Sequence, residues 1–295
     1  MTISGSPSPE YDAGLDPEET PFFLAPSGWS FHDPNPFCAG GGYGPDWVCF
    51  QVLDRRGTTF FTGSGEGGLF ALRAERDCPN LLARVADFLR YEGRYDRKVI
   101  LAAPEDVGMR ALVAEALAAT PPWHVVREDD PRWLVHSTGP EAWAAIQAVG
   151  ELRSLARLRR EGHRLPGVGL RDLGEPPDYA EYVMLGDACH IGSELVVSSQ
   201  QKGRIVAAEY VPYRPGVRLY VDAHRLISDG LGVRDGAHLL KVHDHLPLSP
   251  YVRLCVGTAD VDPDGRVHEW TARTFFDAAN VVFRTAIADL SQRGA

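Results

Sequence analysis

A short apolar run that breaks on polar residues and turns at once into a helix constrains this chain most. Trp133-Leu134-Val135 suits a buried strand, His136-Ser137-Thr138 ends it, and Gly139-Pro140-Glu141-Ala142-Trp143 opens a segment with the apolar repeat Ala145, Ile146, Val149. The run predicts a strand and the repeat a helix, with proline in the first turn, where its missing N–H costs nothing. The junction therefore points to mixed α and β structure. By itself it is a capped helix. Its polar break also sets hydroxyl and backbone donors beside a helix N-terminus, where anionic groups are held at little cost.

A second segment adds to the first. It runs Val217-Arg-Leu-Tyr-Val-Asp222-Ala223, closes a short helix on Asp229-Gly230, and continues through a strand to Pro247. With His136-Ser137-Thr138, Trp143, Ile146 and Gly150-Glu151-Leu152, and with Val211-Pro212-Tyr213-Arg214 upstream, it resembles the RNA 2′-phosphotransferases and, more broadly, the ADP-ribosyltransferase-like fold. The likeness covers about 115 residues, all in the C-terminal half. The family's central glycine of His-Gly-Thr is Ser137 here, and the glycine before the arginine is Pro212. A long insertion, residues 160–187, follows the first helix. The Arg-His and Gly-His-Ser elements that serve the RNA phosphate in that family have no counterpart in this chain.

The resemblance implies a split sheet that pinches NAD, used as a substrate. It implies that His136 bonds the nicotinamide ribose, that the backbone at Ser137 meets the carboxamide, with Thr138 also among the cofactor-binding residues, and that Arg214 holds a pyrophosphate oxygen. Arg153 or Arg157 would replace the family's arginine after Gly-Leu, and a late carboxylate, Glu209 ahead of Glu194 and Glu269, would steer the acceptor. The acceptor stays open: an RNA phosphate, a nucleobase or a protein side chain. The alternative is a catalytically degenerate binding protein on the same fold.

Charge separates the halves. Residues 1–131 hold 11 Lys and Arg against 20 Asp and Glu, whereas residues 132–295 hold 19 against 20. An acidic N-terminal half is a poor match for nucleic acid, which calls for a basic face, and suits a protein partner better. The arginines at 153, 157, 159, 160 and 164 read as a solvated helix face or as one basic surface. Five scattered cysteines without a Cys-x-x-Cys pair predict neither a zinc site nor a disulfide framework, and so a reducing cytoplasm. The N-terminus carries no signal-peptide pattern, and no apolar run reaches the roughly 20 residues that span a bilayer, so no membrane partner is expected.

The pattern predicts three regions: an irregular arm over 1–45, whose aromatics pack on the body, a mixed α/β domain over 46–131, and the transferase-like domain over 132–295. In the second region, strands at 47–53, 58–62 and 69–72 joined by Gly-bearing links predict an antiparallel meander. A helix (80–91), a strand (98–102), a helix (104–119) and a strand (124–126) complete a ribonuclease-H-like element order. Asp54, Glu105 and Asp106 are the candidate metal ligands of a nuclease, but capping and turn roles explain them, and no metal is expected. The Gly63–Gly68 stretch reads as a hairpin turn. In the third region strands are expected at 179–185, 194–199, 205–210, 217–221, 248–256 and 266–272, with a final helix at 275–290. His238, His243 and His245 read as surface histidines.

Overall fold

The computed structural model describes residues 22–104, 109–165, 167–237 and 240–293. It is a mixed α/β structure with two principal sheets. The first contains β1 (Phe22–Leu24), β2 (Trp47–Val52), β3 (Phe60–Ser64), β4 (Phe70–Ala74) and β5 (Lys98–Ala102), in the order β1-β5-β2-β4-β3. Helices α1 (Leu81–Gly93) and α2 (Met109–Ala119) accompany it. β2 runs parallel to both β4 and β5, and β3 alone is antiparallel, at the edge. The expected meander is thus corrected. Only β3 and β4 form a hairpin, over the Gly63–Gly68 link, and no strand forms at 124–126. The cause is burial on both faces: Val48, Cys49, Phe50, Ala71, Leu72, Val99 and Ile100 lose essentially all exposure. Strands buried on two sides read as continuous apolar runs and suit the interior of a parallel sheet.

The second face of this sheet is covered by the arm. β1 pairs in parallel with β5, and Phe31, with Phe23, Trp29 and Tyr43 around it, packs on Trp47, Cys49 and Ile100. Phe31 and the aromatic residues around it therefore belong to the sheet's own core.

The second half contributes β6 (Trp133–Thr138), α3 (Pro140–Val149), β7 (Glu151–Arg153), α4 (Leu155–Arg160), α5 (Val168–Asp172), β8 (Tyr182–Asp187), α6 (Gly192–Lys202), β9 (Pro212–Tyr213), β10 (Val217–Asp222), α7 (Ala223–Ser228), β11 (Gly232–Val233), β12 (Leu240–His243), β13 (His245–Pro247), α8 (Leu248–Tyr251), β14 (Val252–Gly257), α9 (Thr258–Val261), β15 (Trp270–Thr271) and α10 (Ala272–Arg293). Its six-stranded sheet has the order β11-β12-β8-β6-β10-β14 with every neighbour antiparallel. Residues 194–199 form the body of α6 and not a strand, and 205–210 are irregular. Helix α6 buries Glu194, Val197, Ser198 and Ser199, a helical spacing that the contiguous run Leu195-Val196-Val197 disguised. No helix among the described residues is long and apolar enough to cross a membrane.

The halves share one core. Tyr179 and Val233, with half-buried Tyr182, Met184 and Ala237, join the cluster formed by α1, α2 and the first sheet. Gly236, at φ +71°, lies so close to α1 that a Cβ there would stand 2.3 Å from the Arg84 carbonyl oxygen. Arg127 grips Asp87 of α1 with two bonds of 2.6 and 2.7 Å. Arg234 donates to the Trp123 carbonyl at 2.7 Å.

Candidate functional site

The second sheet comes apart along one seam. β6 pairs with β10 over all six of its residues, but with β8 only at Leu134↔Asp187 and Val135↔Gly186. From Tyr182 to Leu185, β8 pairs with β12 instead. Past Val135 the two strands have no backbone ladder between them, and His136 occupies the start of the gap. Its Nδ1 donates to the Met184 carbonyl at 3.0 Å. Burial holds its pKa below the ordinary histidine value, against the opposing pull of that carbonyl and of Glu194. The ring is therefore neutral at pH 7, with the proton on Nδ1 and a lone pair on Nε2. Nε2 has no hydrogen-bond partner among the described residues. A neutral imidazole fixed this way is an acceptor for a ligand hydroxyl.

The side chain of Ser137 is engaged elsewhere. Ser137 donates to Glu194, which also accepts from the Tyr213 hydroxyl at 2.5 Å and from Arg218 at 3.0 Å. All four groups are buried, so this is an ion pair held inside the sheet–α6 layer. The Thr138 hydroxyl is buried without a hydrogen-bond partner among the described residues, and its carbonyl accepts from Gly216 at 2.8 Å. Gly216 is required there: a Cβ would sit 2.3 Å from the Gly139 carbonyl carbon. The close approach brings the 214–216 turn beside the β6–α3 junction.

At that end of the sheet lies a groove of about 870 Å³. Pro140 and Glu141 of α3, Gln201 and Lys202 of α6, the 212–215 segment, Thr258 and Ala259 of α9, and the chain from Asp262 to Trp270 line it. Arg214 is 74 % exposed and pairs with Glu141, itself 73 % exposed, at 3.0 Å. So weak a surface pair leaves the guanidinium free for a ligand. Gln201 fixes its backbone on both sides: the side-chain oxygen accepts from the Arg214 N–H at 2.9 Å, and the amide donates to the Arg214 carbonyl at 2.7 Å. Glu269 lines the groove next to Trp270. His136 is not part of this lining; it stands two residues back along β6, about 7 Å from the strand end.

Two expected site residues are committed elsewhere. Glu209 lies in a turn and not on a strand, and its Oε2 accepts two bonds, at 2.7 and 2.9 Å, from Arg273 at the start of α10. Arg157 is held by Glu151, Glu161 and Asp244 at 3.0–3.1 Å, and Arg153 by Glu151 and Glu161. The expected basic surface is thus laced with carboxylates. Asp54 pairs with Arg76 at 2.8 Å on the surface. Glu105, Asp106 and His238 lie outside the described residues. His243 rests edge-on against Tyr182, and His245 bonds Asp244. Gln201 and the Glu194–Arg218 pair were missed in the sequence. Nothing local marks a glutamine that clamps a distant backbone, and an arginine inside Val217-Arg-Leu-Tyr-Val looks like the solvent-facing position of an alternating strand. Compared with known proteins, the chain matches no family model, no curated protein and no solved structure.

Proposed function

We propose that the C-terminal half binds NAD across the seam between β6 and β8 and transfers part of it to an acceptor, as an ADP-ribosyltransferase-like or 2′-phosphotransferase-like enzyme. The observation that carries this is the parting of the sheet after Val135 with a neutral His136 fixed in the gap. His136 accepts from a ribose hydroxyl through Nε2. Arg214, at the same end of the sheet, takes the pyrophosphate, for which a guanidinium offers a matched fork. Cleaving the nicotinamide–ribose bond creates a cationic, oxocarbenium-like sugar, which needs oriented groups and little water more than a strong acid. With Glu209 tied to Arg273, Glu269 is the one of the three expected carboxylates that lines the groove, and we assign it to the incoming acceptor. The acceptor, a nucleic acid or a protein, is read from its transfer product. The free cysteines fit the expected cytoplasmic setting, where NAD is abundant.

Calorimetric titration with NAD tests this reading. Binding is expected to weaken more than tenfold in His136→Ala and about tenfold in Arg214→Ala, the loss of one charge-assisted contact. Wild-type protein that takes up no NAD, or a His136→Ala variant that binds as well as wild type, overturns it. A second reading, binding without turnover, is favoured by the engagement of Glu209 and Arg157 in ion pairs. Nicotinamide release decides between them: with turnover it is lost in Glu269→Gln while binding persists, and without turnover wild type releases none.

A further inference from the structure

From Leu112 to Ala119, helix α2 carries one charged residue, Glu115, where a surface helix normally shows a polar face. Val113 and Leu117 enter the core of the first sheet, but Leu112, Ala114, Ala118 and Ala119 stay exposed. A helix that is apolar all round is ordinarily covered all round. Beside it, α1 exposes Leu82. The two leucines, Leu82 at 39 % and Leu112 at 43 % exposure, line a single groove of about 610 Å³. Ala83 of α1, Ala116 and Ala119 of α2, and Pro121 extend its apolar wall. A lone exposed leucine is ordinary. Two that share a groove with further apolar groups mark a contact surface.

The free charges around this groove are of one sign. Glu115, Glu128 and Asp129 line it, and none of the three makes an ion pair among the described residues. Arg127, the cation in the lining, is committed to Asp87 through bonds of 2.6 and 2.7 Å. We propose that the groove between α1 and α2 docks an amphipathic helix of a protein partner, with leucine-like anchors on one face and lysine or arginine beside them. A groove between two helices offers no strand edge to extend, so it takes the side chains at i, i+3, i+4 and i+7 of a helix. The basic flanks follow from the three carboxylates, and from a net charge of −9 over residues 1–131, 11 Lys and Arg against 20 Asp and Glu. Other occupants have the wrong charge. Residues 1–21 of this chain contain five Asp and Glu and no Lys or Arg. A second copy docked symmetrically on this groove sets the same three carboxylates against each other. The groove is built from residues between 82 and 129 alone, so it is independent of what the second half binds.

Fluorescence anisotropy with the full chain and a dye-labelled synthetic helix tests this. The probe is about 14 residues long, enough to lie along α2, with Leu at i, i+3, i+4 and i+7 and Lys and Ala elsewhere. One control replaces each Lys by Glu, and another keeps the composition but breaks the leucine stripe. The Leu/Lys helix is expected to bind about tenfold more tightly than either control or better. Leu112→Gln should weaken it about tenfold, the loss of one buried anchor, and Leu82→Gln nearly as much. Both leucines are exposed, so these variants should melt with the wild type, and thermal unfolding checks that they do. Combining Glu115→Gln, Glu128→Gln and Asp129→Asn should weaken binding and remove most of its salt dependence. A Leu/Lys helix that does not bind overturns the proposal. So does equal binding of the broken stripe, or wild-type affinity in both leucine variants, because charge alone then accounts for the contact. Sedimentation covers the remaining occupant: a wild-type dimer that Leu112→Gln dissolves assigns the groove to a second copy of the chain and overturns the basic helix.

Discussion

The two sheets bury different kinds of groups. In the first, β2, β4 and β5 present apolar side chains to α1 and α2 on one face and to the 22–45 arm on the other. In the second, the interior holds Arg218 and Glu194 beneath α6 and Lys241 and Asp235 at the seam, all at 1 % exposure or less. The first sheet is stabilised by area and fit, apolar terms in which no single partner has to offset a buried charge. The second contains charges whose cost is offset only while every partner stays in place. A sheet that parts along one seam forgoes part of its ladder, and the polar groups within it fix positions that apolar packing would leave loose.

The sharpest way to break this comparison is to remove one partner from each half. Glu194→Ala strands the Arg218 guanidinium in the core, and Arg218 cannot shed its charge. Loss of one partner from a buried pair costs about 3–5 kcal/mol, and chemical denaturation should show it at every pH where the wild type is folded. Leu72→Ala in the first sheet only opens a cavity, at about 3 kcal/mol, with no pH signature of its own. If Glu194→Ala costs less than 1 kcal/mol, the pair is not the constraint in the second sheet that its burial implies.

Legibility in the sequence follows the same division. The strand at Lys98–Ala102 lies where its apolar run predicts, and the junction of β6 and α3 where Pro140 predicts. The parallel placement of β2 beside β4 was not legible, because a Gly-bearing link of a few residues reads as a hairpin whether or not the chain crosses over. Helix α6 was hidden because Leu195, Val196 and Val197 look like a strand until Glu194 and Ser198 are known to be buried. The motifs marked His136 and Arg214 as candidates, and the structure leaves them apart: Arg214 lines the groove and His136 does not. The engagement of Glu209 by Arg273 was not visible, since sixty-four residues separate them and nothing in either segment names the other.

A milder test addresses the close approach that joins the candidate site. Gly216→Ala drives a methyl into the Gly139 carbonyl, where both neighbours are backbone and neither can step aside. Overpacking of this kind costs about 1–3 kcal/mol. Because the strain falls between the β6–α3 junction and the Arg214 turn, the NAD binding proposed for this site should weaken along with stability. A fully stable Gly216→Ala variant would mean that the junction yields more readily than a backbone-to-backbone contact should.

The smallest effect on stability should come from Gln201. Its two hydrogen bonds to the Arg214 backbone are exposed, and net values of about 0.5–1.5 kcal/mol each set the upper range. Gln201→Ala should therefore cost about 1 kcal/mol by denaturation, less than any core change above. Its effect on ligand binding should be out of proportion, because an unclamped 212–215 segment lets the guanidinium leave the groove. Gln201→Glu separates the two hydrogen bonds, since it keeps the acceptor for the Arg214 N–H and loses the donor to the carbonyl. If Arg214 meets a phosphate, affinity should fall in the order wild type, Gln201→Glu, Gln201→Ala, and salt should narrow the gap by screening the added negative charge. Equal affinities in all three would place the anion contact elsewhere and leave Gln201 as a brace for the sheet end alone.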